Sequence, residues 1–496
     1  MISIIGSGLG GLSAAIRLAH KGYDVTVYEQ NPSPGGKVGS LQSNGFRFDT
    51  GPSLVTMPFV IEELFSSAGE NINDYLSIKK LDSLCKYFYD DGTCLNAFSD
   101  PEEFGNELES RTGGNKENLF RFLSYCKNIY DLTADIFLFN NPYSLSTYTN
   151  AKAVKALFKA RKIDSLRTMN EANRAFFKDE KIIQLFNRYA TYNGSNPYLC
   201  PATLNIITHV EYNIGGYYIE DGMFKLTLAL YNLAVKKGVH FNLNSKVSKI
   251  VTKNKIVNGI EVNGEFINCD AVISNADVHN TYSILLNDTK TRAAKKYNKL
   301  EPSSSALVFY WGVNITSGKL GVHNILFSSD YKKEFDELFD KKIYPADPTV
   351  YMYISSKFAP NDAPKGSENW FVMINAPYIS WEIKIQNYES IKEIILAKIK
   401  KMTGYDIKDK IVCEKIMTPY DIEMQTGSFK GSIYGISSNN RTSAFLRQPN
   451  KSGDYKRLFF CGGSAHPGGG IPLVILSGKF CAELAEKSLR IIKKRN

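Results

Sequence analysis

The sequence lacks the features that mark several large classes of protein. No uninterrupted apolar run reaches the roughly 18 residues of a membrane-spanning helix, and no basic segment or cleavage site precedes the strand-like start at Ile2–Ile5. The eight cysteines form no CxxC pair and no Cys/His cluster with metal spacing. With 43% hydrophobic and only 22% charged residues, the chain also lacks the composition of a disordered protein. These absences predict a folded cytoplasmic protein that neither crosses a membrane nor holds a metal.

What is present is a large and basic chain. Its 496 residues exceed the roughly 150 of one domain, so we expect more than one unit. Lys and Arg number 60 against 50 for Asp and Glu, and the net charge of +10 favours an anionic surface or ligand. No nucleic-acid partner is predicted, and the oligomeric state is left open.

Apolar periodicity predicts helices between strands, an α/β or α+β architecture. Residues 100–235 have mostly helical spacing, whereas Val239–Ser274 is β-rich, with turn signals at Asn258-Gly259 and Asn263-Gly264. Further elements are predicted as strands Ala306–Val313, Val350–Ser355, Trp370–Asn375 and Leu458–Cys461, and as helices near Ser390–Met402 and Pro472–Ile492.

The first thirty residues carry a dinucleotide-binding pattern. Gly6, Gly8 and Gly11 form G-x-G-x-x-G between strand Ile2–Ile5 and helix Leu12–His20. These glycines allow a tight turn, approach of a pyrophosphate and close helix packing. Glu29 ends the second strand, where its carboxylate can bind a ribose diol and would repel a 2′-phosphate. The alternative is an ordinary tight turn with a surface glutamate.

Two further glycine segments extend this pattern. Gly35–Ser40 (GGKVGS), followed by Asp49-Thr50-Gly51-Pro52-Ser53, resembles the GG-[R/K]-x-x-[S/T] extension of a flavoprotein class that includes amine oxidases, protoporphyrinogen oxidase and carotenoid desaturases. That resemblance implies FAD rather than NAD. Near the C-terminus, Gly462–Pro472 (GGSAHPGGGIP) separates a strand from a helix whose exposed N–H groups can stabilise a reduced flavin or a phosphate. The alternative for this second segment is a glycine-rich helix cap.

The chain as a whole resembles the bacterial phytoene desaturase family of FAD-dependent carotenoid desaturases. The resemblance runs nearly end to end and is carried by GSGLGGLSAAIRLAHKGYDVTVYEQN, PGGKVGSLQSNGFRFDTGPSLVTMP and FFCGGSAHPGGGIPLVILSGK. The segments KYFYDDGTCLNAFSD, LFNRYATYNGSNPY, SSSALVFYWGV and YGISSNNR are most similar to the branch that desaturates 1-hydroxycarotenoids at the 3,4 position. Gly463-Ser464 stands where many other flavoproteins of the class carry an acid, as in the carotenoid branch.

This resemblance implies a discontinuous Rossmann-type FAD-binding domain and an α+β substrate domain. We expect the first in residues 1–75, 222–290 and 445–496, and the second in 76–221 and 291–444, with a helical, membrane-facing part near 101–221. The expected FAD contacts are Gly6, Gly8, Leu9, Gly11, Glu29, Gln30, Gly35, Gly36, Lys37, Gly51, Pro52, Ser53, Val247, Gly462, Gly463, Gly469, Gly470, Ile471 and Pro472.

The implied reaction is dehydrogenation of a C–C bond beside a polyene. It removes a hydride and a proton, and because no ordinary side chain accepts a hydride, the flavin is the oxidant. Three alternatives stay open: a phytoene or diapophytoene desaturase, a flavin oxidase with a soluble substrate, and a non-catalytic prenyl-lipid carrier related to GDP-dissociation inhibitors.

Several side chains have two interpretations. His466 is either the base that takes the proton or a loop histidine that bonds the backbone. Arg188 and Tyr189 either contact a polar substrate end or lie on a helix surface. Phe309, Tyr310 and Trp311 either wall a substrate channel or belong to the core.

A carotenoid lies in a bilayer, so a peripheral membrane surface is the expected partner. In residues 151–162 (AKAVKALFKARK), lysines at spacings of 3, 4 and 3 accompany an apolar strip of Val154, Leu157 and Phe158, a basic amphipathic pattern. The basic end Lys493-Lys494-Arg495 either adds to the attraction or is a frayed tail. The alternative for the helix is a solvated face packed on the core. The lysines in question are Lys152, Lys155, Lys159 and Lys162.

Overall fold

A computed structural model of the chain describes residues 1–143, 163–380, 387–440, 443 and 447–493. Its strands, in chain order, are β1 (Ile2–Ile5), β2 (Val25–Tyr28), β3 (Ser40–Ser43), β4 (Phe46–Asp49), β5 (Ile78–Lys80), β6 (Ser83–Phe88), β7 (Cys94–Phe98), β8 (Tyr217–Ile219), β9 (His240–Asn242), β10 (Val247–Lys253), β11 (Ile256–Val262), β12 (Glu265–Asn268), β13 (Ala271–Ser274), β14 (Ser305–Val313), β15 (His323–Leu326), β16 (Val350–Tyr353), β17 (Glu368–Ala376), β18 (Ile411–Met417) and β19 (Leu458–Phe460).

The helices of eight residues or more are α1 (Leu9–His20), α2 (Phe59–Ser67), α3 (Pro101–Arg111), α4 (Lys116–Phe137), α5 (Met169–Phe176), α6 (Glu180–Asn187), α7 (Phe224–Lys236), α8 (Tyr388–Thr403), α9 (Pro419–Thr426) and α10 (Ile471–Lys493). Shorter helical turns lie at Ile72–Asp74, Arg188–Asn193, Ala202–Asn205, Ile206–Thr208, His209–Ile214, Val278–Asn280, Thr281–Leu285, Arg292–Tyr297, Tyr331–Phe335, Asp336–Asp340, Ser355–Lys357, Pro360–Asp362, Lys408–Lys410 and Phe429–Gly431. Within the described residues, no helix is both long and apolar enough to cross a membrane.

A five-stranded parallel sheet organises the glycine loops. Its order is β19-β13-β1-β2-β9, and α1 connects the adjacent strands β1 and β2. Both strands are completely buried, as expected for a parallel sheet that is covered on two faces. Helices α1, α7 and α10 pack in one apolar core with the sheet. The predicted βαβ start is confirmed, although α1 begins at Leu9 rather than Leu12.

A three-stranded antiparallel sheet, β10-β11-β12, corrects one sequence prediction. The turn at Asn263-Gly264 joins β11 to β12 as predicted, with positive φ at both residues. The predicted turn at Asn258-Gly259 is wrong, because both residues lie inside β11. Asn254 and Lys255 make the β10–β11 turn instead, since both adopt the positive φ that the turn requires.

The larger sheet has seven strands in the order β18-β14-β17-β16-β15-β6-β7. Only the β15–β6 pair among these is parallel. Helix α8 packs on one face, where Ile395 and Ile399 join Trp311 and Trp370 in a buried cluster. The opposite face packs against β4. The aromatic set Phe309–Trp311 is therefore core, because it lies on the interior strand β14 and is buried.

The sheets draw their strands from different parts of the chain. The five strands of the parallel sheet fall within residues 1–75, 222–290 and 445–496, and all seven strands of the larger sheet fall within 76–221 and 291–444. The domain boundaries themselves stay a prediction. The basic segment 151–162 and its four lysines lie outside the described residues, as do Lys494 and Arg495.

Candidate functional site

The candidate site is the carboxyl edge of the parallel sheet. Strands β1, β13 and β19 are in register and end together at Ile5, Ser274 and Phe460. The chain leaves β1 towards β2 on one side, while β13 and β19 fill the other side, so β1 borders a topological switch point. Ligands of open α/β sheets bind in the crevice at such a point.

The Gly6–Gly11 loop leaves the start of α1 without a side-chain cap. Gly8 is the N-cap residue and makes no side-chain bond, so the first N–H groups of α1 are free of the usual capping oxygen. Gly6 has a φ of +91°, and a Cβ on Gly11 would lie 2.2 Å from the Gly6 carbonyl oxygen. Turn and helix therefore require glycine here, and the helix N-terminus is suited to an anion.

Asn275, which the sequence did not single out, ties the loops of this edge together. Its Nδ2 donates to the Gly6 carbonyl at 3.4 Å. A Cβ on Gly8 would lie 2.8 Å from that nitrogen, and Cβ atoms on Gly10 or Gly462 would each lie 2.7 Å from Oδ1. The available signal was its place directly after β13, the strand next to β1.

Glu29 lies at the end of β2, as predicted, and is buried. One carboxylate oxygen accepts hydrogen bonds from the backbone N–H and the hydroxyl of Ser7, both at 2.8 Å. The other accepts from the backbone N–H and Nδ2 of Asn31, both at 3.0 Å. The carboxylate is thus fixed in orientation beside the glycine loop. Gln30 next to it donates to the carbonyl of Gln425 at 3.3 Å.

The GGK segment lies directly against the first glycine loop. Gly35 and Gly36 have φ values of +120° and +60°, and a Cβ on Gly36 would be 3.4 Å from the Gly8 Cα. Lys37 is placed with its Nζ donating to the carbonyls of Ser432 and Ile433, at 3.2 and 2.5 Å. Burial lowers the pKa of Lys37 to about 8, although the nearby Asp277 opposes that shift.

Residues 51–53 pack against the GGK segment. A Cβ on Gly51 would lie 1.8 Å from the carbonyl oxygen of Lys37, so glycine is required for the two segments to approach. Pro52 follows, and the Ser53 hydroxyl is 2.5 Å from the Tyr351 hydroxyl on β16. The two remaining expected contacts are buried in apolar clusters: Leu9 lies in the core around α1, and Val247 shares a cluster with Ile5 and Tyr28.

The C-terminal loop forms the other wall of the crevice. Gly462, Gly468 and Gly470 all have positive φ, between +93° and +136°. A Cβ on Gly463 would be 3.6 Å from the Gly469 Cα, so the loop folds back on itself before α10 begins at Ile471, one residue ahead of Pro472. This confirms the predicted strand, loop and helix.

Arg447 adds a buried positive charge behind this loop. Its Nη1 donates to the Tyr434 carbonyl at 3.0 Å and lies 3.5 Å from the Gly463 carbonyl. Burial lowers its pKa to about 10. Within the described residues, no carboxylate forms an ion pair with it. Lys37 and Arg447 thus both donate to carbonyls of the segment 432–434, which gathers two buried cations there.

His466 is 2% exposed and packs inside the loop. Its ring stacks on Phe480 of α10, with ring centroids 5.6 Å apart, and Nε2 lies 3.3 Å from the Asn140 carbonyl oxygen. Burial lowers its pKa to about 4, so the imidazole is neutral at pH 7. These contacts match the backbone-bonding interpretation, and its assignment as a base stays a prediction.

Arg188 and Tyr189 are not on a helix surface, and that interpretation is wrong. Both are buried, because the turn Arg188–Asn193 packs into the core between the helical part and the larger sheet. The guanidinium donates to the Tyr87 hydroxyl at 2.8 Å and lies 3.6 Å from Glu211. The Tyr189 hydroxyl also donates to Glu211, at 2.8 Å. The sequence signal that could have identified Glu211 is a lone acid within an apolar segment.

Comparison with protein families decides the class of this site. A model of the family described as flavin containing amine oxidoreductase matches residues 9–485. The chain belongs to this flavoenzyme family. It is an FAD-dependent oxidoreductase, and the sequence-based prediction of FAD is confirmed.

The relatives of this flavoenzyme include proteins named for carotenoids. It is 43% identical to a 1-hydroxycarotenoid 3,4-desaturase of Flavobacterium sp. (strain P99-3), over 97% of this chain and 98% of the relative. It is 35% identical to a 4,4'-diaponeurosporene oxygenase of Staphylococcus haemolyticus (strain JCSC1435), covering 97% and 96%. The resemblance to the carotenoid desaturase family is thereby confirmed.

Solved structures share the fold of this flavoenzyme at low identity. An oxidoreductase from Methanosarcina mazei has a TM-score of 0.64 at 17% identity, covering 97% of this chain and 99% of that one. Putrescine oxidase bound to putrescine has a TM-score of 0.63 at 13%, covering 99% and 98%. A Rab GDI from Plasmodium falciparum also matches, with a TM-score of 0.52 at 14%, covering 98% and 96%. The fold is therefore shared by proteins named as oxidases and by one named as a Rab GDI, whereas the family match is to flavin containing oxidoreductases.

The residues of the crevice fit FAD. The uncapped start of α1 suits a pyrophosphate, and the space over Gly8 and Gly36 would be filled by any side chain. The buried ammonium of Lys37 donates to two carbonyls and, among the described residues, pairs with no carboxylate, so it suits an anionic or strongly polar ligand. The start of α10, opened by glycine, suits the electron-rich end of a flavin.

Proposed function

We propose that this flavoenzyme is a carotenoid desaturase that introduces a C=C bond at the 3,4 position of a 1-hydroxycarotenoid. The observation that carries the proposal is the 43% identity, over nearly the full length of both chains, to a protein named for that reaction. The glycine loops of the crevice support the proposal, because they leave space for the redox cofactor that the reaction requires.

In this proposal the chain binds and positions the substrate and FAD, and bound FAD supplies the hydride acceptor. Gly6, Gly8 and Gly11 with the start of α1 hold the pyrophosphate, and Glu29 holds the adenosine ribose. Lys37 contributes positive charge next to the first glycine loop. The remaining expected contacts, from Leu9 through Val247 to Pro472, line the same cofactor. The apolar face of the larger sheet excludes water from the reacting bond.

A second candidate is oxygenation of a carotenoid end group. The relatives at 35% and 33% identity are named diaponeurosporene and diapolycopene oxygenases, and they too match nearly the full length of the chain. Desaturation of phytoene or diapophytoene stays a third candidate. The candidates differ in product, because desaturation removes hydrogen whereas oxygenation adds oxygen.

Purified holoenzyme should be given a 1-hydroxylated acyclic carotenoid in lipid vesicles under air. We expect a red-shifted absorption spectrum, because the new double bond lengthens the conjugated system, and a product mass lower by two hydrogens. A product heavier by oxygen would favour the oxygenase candidate. Turnover of phytoene but not of the hydroxylated carotenoid would contradict the proposed substrate.

A further inference from the structure

One face of the larger sheet carries an apolar row that crosses its strands. Paired residues of neighbouring strands project to the same face, and the register places Ile325, Tyr351, Met373, Val308 and Met417 side by side on β15, β16, β17, β14 and β18. At about 4.8 Å per strand, the row is about 19 Å long.

This row is incompletely covered by the protein. Met373 and Tyr351 lie on strands inside a seven-stranded sheet, yet both are only partly buried, as is Met417. The same face packs against β4 and the region of Thr50, next to residues 51–53 of the FAD crevice. An elongated apolar molecule lying across the strands would cover these side chains.

One polar group interrupts the row. The Tyr351 hydroxyl is 2.5 Å from the Ser53 hydroxyl and 2.9 Å from Nδ1 of His323. His323 is buried, and burial together with the positive charge of Arg188 lowers its pKa to about 3, so the imidazole is neutral. The three groups therefore form an uncharged hydrogen-bonded chain that ends at Ser53, a residue that adjoins the FAD crevice.

The free end of this chain can bind an oxygen atom. A serine hydroxyl can donate one hydrogen bond and accept two, and Tyr351 is the one partner of the Ser53 hydroxyl among the described residues. With either tautomer of His323, Ser53 retains the capacity to accept from or donate to a ligand hydroxyl. A hydrocarbon end group can do neither.

We infer that Ser53, Tyr351 and His323 form a subsite that binds the oxygen of an oxygenated polyene end group, while the apolar row binds the adjoining hydrocarbon. The inference rests on the proposed function, and it assigns the distinction between hydroxylated and unsubstituted substrates to three residues that are far apart in the chain. Hydrogen bonding of the end group would also fix how far the polyene extends past residues 51–53.

The test compares Tyr351→Phe and Ser53→Ala with the wild type, all as holoenzyme and normalised to bound flavin. Two probes are used: a 1-hydroxylated acyclic carotenoid and the same carotenoid without the hydroxyl. We expect the wild type to bind the hydroxylated probe more tightly, and each variant to lower the ratio of the two affinities about 10-fold, the effect of one hydrogen bond. The ratio of the two kcat/KM values should fall in parallel.

Tyr331→Phe is the matched control. Tyr331 is also buried, and its hydroxyl has no hydrogen-bond partner among the described residues. It should leave the ratio unchanged. Affinities for both probes that fall equally in Tyr351→Phe, or an unchanged ratio in both subsite variants, would overturn the inference. Because binding is measured apart from turnover, a wild type that discriminates in binding but desaturates neither probe would contradict the proposed function alone.

Discussion

Burial determines the protonation of single residues around the crevice. The pKa of Lys37 falls to about 8 and that of Arg447 to about 10, so both remain mostly charged at pH 7. The pKa of His466 falls to about 4, and that imidazole is neutral. Desolvation disfavours the charged form in all three. Two cations thus lie near the crevice, and an anionic ligand would stabilise their charged forms.

At Gly8, the space for a side chain is the feature to test. Its φ of −65° is ordinary for any residue, so a substitution acts through space rather than backbone strain. In Gly8→Val, the added atoms collide with Asn275 and occupy the approach to α1. We expect the folded variant to lose FAD on gel filtration. Gly453→Val, where a Cβ meets nothing within 4 Å, is the control. A folded Gly8→Val protein with unchanged FAD content would show that the loop is not the pyrophosphate site.

His466 should make stability depend on pH. Its pKa is about 4 in the folded chain against about 6.5 when unfolded, so the unfolded chain binds the extra proton first. This contribution is complete above pH 6.5 and is lost as the pH falls towards 4. Between pH 7 and pH 5 it amounts to about 2 kcal/mol. Thermal unfolding should therefore show a smaller pH effect in His466→Gln than in the wild type, and equal pH effects would contradict this assignment.

The same variant tests the predicted role of His466 as the base that takes the proton. If His466 is that base, its removal should slow turnover at least about 100-fold.

At the scale of elements, sequence patterns identified the two units whose strands and helices follow one another closely in the chain. The β1–α1–β2 unit spans Ile2–Tyr28 and the β19–loop–α10 unit spans Leu458–Lys493, and both were predictable from glycine spacing and apolar periodicity. The Asn258-Gly259 turn was wrong because the same dipeptide chemistry occurs inside β11, where glycine serves packing. Whether a glycine lies in a turn or inside a strand depends on the tertiary position of that strand. A local sequence pattern carries no information about that position.

The three-stranded sheet allows a glycine inside a strand, Gly259, to be compared with a glycine in a turn, Gly264. A Cβ on Gly259 would lie 2.2 Å from the carbonyl oxygen of Ile267 on β12, so Gly259→Ala must displace the backbone pairing. We expect a loss of about 1–3 kcal/mol in stability. At Gly264 nothing lies within 4 Å, and Gly264→Ala costs only the strain of its positive φ, about 1 kcal/mol. Thermal unfolding should therefore rank Gly259→Ala as the less stable variant. The opposite order would mean that the pairing of β11 with β12 accommodates a Cβ at Gly259.

At the scale of the whole molecule, the site depends on contacts between distant parts of the chain. Asn275 reaches a loop 269 residues earlier, and Tyr351 bonds Ser53 across 298 residues. Neither residue belongs to a motif, and the one signal in the sequence was the place of Asn275 directly after a strand. Arg188 was misjudged for the same reason, because its burial depends on how the helical part packs on the larger sheet. The motifs located the cofactor crevice, while the register of the sheets located the apolar row.

At this scale the proposed substrate lies in a bilayer, and we propose that residues 151–162 contact the membrane. Each lysine near an anionic surface contributes about 1 kcal/mol at most, and salt screens it. Replacing Lys152, Lys155, Lys159 and Lys162 by Gln should therefore weaken co-sedimentation with anionic vesicles and lower activity on vesicle-borne carotenoid, while FAD content stays unchanged. A control replaces exposed lysines elsewhere and lowers the net charge equally, from +10 to +6, at Lys246, Lys253, Lys295 and Lys365. If net charge alone draws the protein to lipid, both variants will lose binding to the same extent, and segment 151–162 will have no special part in it.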